Sequence, residues 1–181
     1  MIYTILIIIG IILDRITKAY AISHFIENPI FTNFINLLYV ENRGAAFGIL
    51  QNKRIFFIIL TLVVVFYLLY YFIRNLKSNP KLLNISLSLI VSGALGNFYD
   101  RLFHGFVVDF IEFSFFKFPV FNVADILVTT GSILLIIFII FGKMDGEKND
   151  GSNRKWLGWN SKRWMEKRLL STIKKKSYKW I

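Results

Sequence analysis

The stretch IFFIILTLVVVFYLLYYFI, residues 55–73, is nineteen residues long and carries no charge. A helix rises about 1.5 Å per residue, so a segment of this length can cross the roughly 30 Å hydrocarbon core of a bilayer. The wider composition agrees, because 55% of the 181 residues are hydrophobic and the mean hydropathy is +0.55. The stretch therefore predicts a transmembrane helix in an all-α membrane protein.

Three further apolar segments extend this pattern. Uncharged runs cover residues 82–99 and 126–142, and a run of thirteen uncharged residues begins at Met1. No basic residues precede that first run and no small-residue cleavage site follows it, so we expect a retained helix and not a secretory signal. Residues 1–142 are predicted to form one domain of four transmembrane helices, at residues 2–22, 55–73, 82–99 and 123–142.

Basic residues are distributed unevenly among the connecting segments. Three lie in the short link 74–81, and residues 143–181 hold twelve against four acids, whereas the long loops 21–54 and 100–122 hold five between them. Lys and Arg near helix ends favour the cytoplasmic side. Both termini are therefore predicted to be cytoplasmic, and both long loops extracytoplasmic.

The segment 143–181 is a basic, tryptophan-rich tail with a net charge of +8. A polar linker, 145–155, leads into a stretch that holds all four tryptophans of the protein. Trp and Leu interleaved with Lys and Arg favour contact with the phospholipids of the anionic inner leaflet. A solvated, disordered tail is one alternative, and binding to a protein or nucleic acid is another, although no nucleic-acid partner is expected.

Four aspartates are predicted to reach a similar depth from different segments. Counting helical rise places Asp14 roughly 20 Å and Asp100 about 27 Å from the cytoplasmic ends of their helices. Asp125 begins the last helix from the opposite side, and Asp109 lies in the loop before it. Ionisable groups at such a depth are costly and usually mark function. We therefore expect a polar cluster near the outer edge of the hydrocarbon.

Most of these acids also have a purely structural interpretation. Asn122 can cap the last helix, with Asp125 complementing the helix dipole in the first turn. Asp14 can pair with Lys18 one turn later, and Asp100 is followed directly by an arginine.

Asp109 is different, because no base lies within four residues of it in the sequence. The alternation in GFVVDFIEF, residues 105–113, predicts a strand, and Asp109 then needs a partner that is distant in sequence. Two carboxylates held close together cannot both ionise readily, so one keeps its proton near neutral pH. Such a pair can activate water with one acid and polarise a scissile carbonyl with the other. With no cysteine and only two histidines in the chain, thiolate and zinc hydrolase chemistry are not expected, and no metal is predicted.

Five short blocks occur in order along the chain. They are DRITK (14–18), NRGAAF (42–47), GNFYDR (96–101), VVDF (107–110) and FNVAD (121–125). In this order, and placed among four apolar segments, they resemble the lipoprotein signal peptidase family, the bacterial signal peptidase II. The resemblance covers residues 1 to about 142.

The resemblance implies an aspartic endopeptidase of the bacterial cytoplasmic membrane that needs no cofactor, with Asp109 and Asp125 as its catalytic pair. It implies cleavage of prolipoproteins before a cysteine that carries diacylglycerol, and inhibition by globomycin. A small extracytoplasmic β-sheet is expected between helices 1 and 2, from residues 34–50, and a monomer suffices. The residues that would line or brace the site are Asp14, Lys18, Asn42, Gly44, Asn97, Asp100, Arg101 and Asn122.

The alternative function is a small transporter or proton relay, since intramembrane acids with nearby bases suit ion coupling. Such a protein should carry polar residues through the full depth of the bundle, yet the cytoplasmic halves of the second and fourth predicted helices are almost wholly apolar. A serine–lysine protease could use Lys18, but no serine occupies a recognisable nucleophile position on the outer side. A non-enzymatic scaffold would need no converging acids.

Overall fold

The computed structural model describes residues 1–44 and 49–141; the tail 143–181, with its predicted inner-leaflet segment, lies outside the described residues. The described residues form four helices and two strands. The helices are α1 (Ile2–His24), α2 (Arg54–Asn75), α3 (Lys81–Phe103) and α4 (Val123–Phe141). The strands are β1 (Ile35–Asn42), which lies between α1 and α2, and β2 (Val107–Phe113), which lies between α3 and α4.

Three of these helices, α2, α3 and α4, are long and apolar enough to cross a membrane. Large hydrophobic side chains on α2 and α4 are exposed over most of their length, as expected where the surrounding medium is lipid. α1 also has 23 residues, and it carries Asp14, Arg15 and Lys18 in its second half. The mostly helical architecture predicted from the sequence is confirmed.

α3 is the central helix of the bundle, and small residues line its contacts. A Cβ atom added to Gly96 would lie 2.5 Å from Asp14 Oδ2 of α1, so only glycine leaves room for that carboxylate. A Cβ on Gly93 would likewise meet the Ala124 backbone of α4. Close approach through small residues is how membrane helices gain packing energy without a hydrophobic effect between them.

The two strands form one antiparallel sheet in which Asn42 pairs with Val107 and Val40 with Asp109. We expected the sheet between helices 1 and 2, from residues 34–50, and that prediction is wrong in one respect. Among the described residues of that segment only β1 is a strand, and its partner comes from the loop between α3 and α4. The chain leaves β1 in a turn where Gly44 donates its amide to Asn42 Oδ1 at 2.9 Å. β2 pairs with β1 because residues of both strands pack in one apolar cluster at the end of α1.

The sheet is anchored over the end of α1. Val108 and Phe110 of β2 are buried against Ala21 and Phe25, which lie at the end of that helix. Burying these apolar side chains removes them from water and fixes the strand relative to the bundle. The central residue of this stretch, Asp109, is thereby held at the end of the helices.

Candidate active site

Asp109 is a buried carboxylate held by two amides from distant segments. Its side chain lies in the most buried part of β2 and is 2% exposed. Asn42 of β1 donates to Asp109 Oδ2 at 2.8 Å, and Asn122 donates to Asp109 Oδ1 at 2.5 Å. The long-range partner that the sequence required is therefore a pair of neutral amides, with no base among these donors.

Asp125 lies in the first turn of α4 and takes part in its cap. Its backbone amide donates to Asn122 Oδ1 at 3.0 Å, and the Asn122 amide donates back to Asp125 Oδ2 at 3.2 Å. This reciprocal arrangement is a capping box, so the structural interpretation of this pair is confirmed. The second oxygen, Oδ1, accepts a 2.7 Å hydrogen bond from Asn97 of α3.

Asn122 joins the two carboxylates, since it hydrogen-bonds Asp109 through its side chain and Asp125 through its backbone. Burial and the nearby charge of Asp125 raise the pKa of Asp109 to about 7, whereas the hydrogen bonds from Asn42 and Asn122 and the charge of Lys18 act in the opposite direction. Near neutral pH this site therefore holds a proton that an exposed aspartate would have lost.

Lys18 orients the amide that faces Asp125. Its Nζ donates to Asn97 Oδ1 at 2.8 Å, so the Nδ2 atom of Asn97 points to the carboxylate. Lys18 is only 1% exposed, and it also lies 3.1 Å from Asp14 Oδ1, which confirms the predicted pair on α1.

Asp100 is fully buried at the end of α3, and it contacts α1 instead of its neighbour in sequence. Its partners are Arg15 at 2.6 Å and Lys18 at 2.8 Å. Arg101 instead donates to the Gly44 carbonyl at 3.1 Å and lies over the Phe57 ring. Asp100 does not pair with the arginine that follows it, because adjacent helical residues project in different directions.

Arg15 is the charged residue of this cluster that the sequence interpretation left out. It bonds Asp14 at 2.7 Å as well as Asp100, and it stacks over Tyr99. The signal was present in the sequence, because Arg15 is a base within a mostly apolar helix and stands next to Asp14.

A cavity of about 750 Å³ opens beside Asp109. Strands β1 and β2 form one side of it, and the phenylalanine-rich segment 114–120 forms another. Phe115 and Phe116 are exposed there, while Asn42 and Asp109 present polar groups to the same space. Within residues 1–44 and 49–141, no three His, Cys, Asp or Glu side chains are grouped so as to hold a metal ion.

These features define a class of membrane protein in which one buried and one half-buried aspartate share an asparagine partner at the end of a helical bundle. Comparison with known proteins gives the family. The family model described as "Signal peptidase (SPase) II" matches residues 6–141. The chain belongs to the signal peptidase II family and is thus a membrane peptidase, which confirms the resemblance carried by the five blocks.

Similar proteins agree closely with this membership. A lipoprotein signal peptidase of Clostridium tetani is 50% identical over 148 residues, which are 78% of this chain and 93% of that protein. One from Clostridium novyi is 47% identical over 141 residues, 75% and 95% of the two chains. A solved structure described as a bacterial membrane enzyme, at 2.3 Å resolution, superposes with a TM-score of 0.73 at 35% identity, covering 82% of this chain and 93% of that one.

Proposed function

We propose that this chain is an aspartic endopeptidase that removes the signal peptide from diacylglyceryl-modified prolipoproteins and cuts just before the lipidated cysteine. The observation that carries the proposal is the bridge from Asn122 to the buried Asp109 and the half-buried Asp125, the first of which keeps a proton near neutral pH. The relatives are named lipoprotein signal peptidases, which supports the choice of substrate.

The chemistry follows from one proton shared between two acids. The ionised carboxylate takes a proton from water while the water oxygen attacks the scissile carbonyl carbon, and the protonated carboxyl donates a hydrogen bond to the carbonyl oxygen. As the tetrahedral intermediate collapses, the C–N bond breaks and the leaving nitrogen takes up the proton that the first carboxylate received from water. No covalent bond to the enzyme forms. Asp109 and Asp125 are the catalytic pair, and Asn122 and Asn97 orient their carboxylates.

The surroundings suit an extended peptide attached to lipid. The cavity beside Asp109 offers backbone and amide groups of β1 and β2 on one side and exposed phenylalanines on another. Because Asp125 begins an apolar helix, the reacting bond would lie at the membrane edge and the acyl chains could stay in the lipid. Globomycin-type cyclic peptides are expected to occupy the same pair of acids.

The proposed topology has four spans, with α1 crossing alongside the other three. The charges of α1 are compatible with this, since Arg15 and Lys18 are both paired with Asp14 and Asp100. Basic residues in 74–81 and 143–181 support cytoplasmic termini and an extracytoplasmic site in the bacterial cytoplasmic membrane. Residues 1–142 form the peptidase domain, a monomer suffices, and the tail contacts inner-leaflet phospholipids.

The transporter alternative has less support. Buried serines do extend along α3, but the hydroxyl groups of Ser86, Ser88 and Ser92 each donate to a carbonyl of their own helix. Hydroxyls satisfied in this way offer no continuous chain of polar groups across the bundle.

The proposal is tested by a gel-shift assay in detergent, in which purified protein meets a diacylglyceryl-modified prolipoprotein. We expect the wild type to release the signal peptide, and Asp109→Asn and Asp125→Asn to be folded but inactive. Glu27→Gln, which changes an exposed acid between α1 and β1, is the matched control and should cut normally. If both aspartate variants cut as fast as the wild type, Asp125 is only part of the helix cap and the aspartic mechanism is wrong.

A further inference from the structure

Each of the two proposed catalytic aspartates is preceded by a residue whose backbone amide is held by a buried acid. Ala124, just before Asp125, donates to Asp14 Oδ1 at 3.1 Å. Val108, just before Asp109, donates to Asp100 Oδ2 at 3.3 Å. The Ala124 amide belongs to the first turn of α4, where helix geometry provides no internal acceptor.

Asp14 and Asp100 are in turn tied to each other by two cations. Arg15 reaches both carboxylates through separate nitrogens of one guanidinium, at 2.7 Å and 2.6 Å. Lys18 also bridges them, at 3.1 Å and 2.8 Å, but its ammonium is shared with Asn97. Both carboxylates are fully buried, so their charges depend on these two partners and, for Asp100, on the His104 ring, whose Nδ1 lies 3.4 Å from Oδ1.

A guanidinium can hold two carboxylates at a fixed separation better than an ammonium can. Its planar fork fixes the directions of its donors, whereas a lysine provides one point charge on a flexible stem. Arg15 is also held over the Tyr99 ring, 4.6 Å from its centroid, and its side chain is 24% exposed. The Arg15 side chain is therefore held in a fixed orientation at the edge of the cluster, while Lys18 lies inside it.

We infer that Arg15 is a positioning residue that fixes the separation of Asp109 and Asp125. The chain of contacts runs from the guanidinium to Asp14 and Asp100, and from these acids to the backbones of α4 and β2. This inference rests on the proposed function, since it assigns Arg15 a role in the same reaction without contact with the substrate.

Removing the guanidinium leaves two buried carboxylates with one ammonium between them. Their mutual repulsion then moves them apart or draws in water, and either change loosens the hydrogen bonds to Ala124 and Val108. The reacting groups lose their alignment although each aspartate is intact. A displacement of this kind should lower kcat by about 10- to 100-fold, as misplacement of about 1 Å does in other enzymes. KM should change little, because the peptide cavity is untouched.

The test compares Arg15→Gln and Arg15→Lys with Arg74→Gln, an equivalent change at the end of α2, where the arginine lies over Tyr70. Cleavage of a lipidated prolipoprotein gives kcat and KM per folded molecule. Hydrogen–deuterium exchange of the Val108 and Ala124 amides, resolved with overlapping peptides, reports the two backbone contacts without reference to activity.

We expect Arg15→Gln to lower kcat and to speed exchange at both amides, Arg15→Lys to lie between it and the wild type, and Arg74→Gln to match the wild type. A variant that loses thermal stability but keeps the wild-type kcat and exchange would overturn the inference. If Arg15→Gln does not fold, wild-type values for Arg15→Lys in both measurements would overturn it as well. A wild type that cannot cleave the substrate would instead contradict the proposed function, so the two failures are distinguishable.

Discussion

The side-chain amide of Asn122 donates to Asp109 Oδ1 across 2.5 Å, linking the residue that caps α4 to the centre of β2. The same asparagine caps the helix through Oδ1, which accepts from the Asp125 amide. One residue therefore performs two separable tasks, because the cap uses its oxygen and the contact with Asp109 uses its nitrogen.

Substitution of Asn122 should separate these tasks. Asn122→Ala removes both contacts, and we expect a loss of about 1 kcal/mol in the free energy of unfolding, typical of a lost cap. Asn122→Ser keeps an oxygen for the cap but has no amide for Asp109. It should recover most of the stability while kcat stays about 10- to 100-fold below the wild type, because Asp109 is no longer held in place. Thermal unfolding and the processing assay measure the two effects, and a serine variant with normal kcat would show that the cap alone matters.

The pH dependence of stability should report on Asp109. Its pKa is raised to about 7 by burial and by Asp125, from an ordinary value of 3.8. The folded protein thus binds this proton more tightly than the unfolded chain, so the contribution to stability is full below about pH 4 and is lost as the pH rises through about 7.

Asp109→Asn has no proton to lose at this position. Its stability relative to the wild type should therefore increase between about pH 5 and about pH 8, by about 2 kcal/mol, since one pKa unit corresponds to about 1.4 kcal/mol. Thermal unfolding in detergent at the two pH values gives the comparison, with Glu27→Gln as the control. Parallel pH curves for wild type and Asp109→Asn would mean that the pKa of Asp109 is not raised.

The tail 143–181 is expected to contact lipid without serving the cleavage reaction. All four tryptophans lie in it, so tryptophan emission from the reconstituted protein reports this segment alone. Anionic liposomes should shift the emission to shorter wavelength relative to zwitterionic ones, and salt should reverse the shift because it screens the attraction. A chain ending at Gly142 should cleave at the wild-type rate, since the family match ends at residue 141. Identical spectra in both lipids would instead favour a solvated tail.

Much of the fold could be predicted because its determinants are local. Apolar runs of helical length predict α2, α3 and α4, and the alternation in residues 105–113 predicts β2. The partner of β2 could not be predicted in this way. Strand pairing depends on which backbone edges meet after the helices pack, and β1 is separated from β2 by two whole helices.

The site shows the same division between local and long-range information. Helical rise predicts that Asp14, Asp100 and Asp125 reach a similar depth, and the structure brings all three together with Asp109. The contacts among them depend on packing between helices, which cannot be inferred from the local sequence around each residue. The preference of Asp100 for Arg15, 85 positions away, is an example. The catalytic roles of Asp109 and Asp125 are still predictions, which the variants Asp109→Asn and Asp125→Asn test.

Gly96 offers a way to disturb the acid cluster without changing any charge. Its added Cβ would lie 2.5 Å from Asp14 Oδ2, and this carboxylate has little freedom to move because it bonds both Arg15 and the Ala124 amide. Gly96→Ala should therefore displace Asp14 and lower kcat, and overpacking of this kind typically costs about 1–3 kcal/mol of stability.

Gly131→Ala is the matched control, because its added Cβ creates a comparable overlap at the contact between α4 and α3. Its Cβ would lie 2.8 Å from Ile90 Cγ1 and from the Ser86 carbonyl oxygen, away from the aspartates. Both variants should lower the unfolding temperature in detergent, but only Gly96→Ala should lower kcat measured per folded molecule. An equal loss of kcat in the two variants would mean that general loosening of the bundle, and not the position of Asp14, limits the reaction.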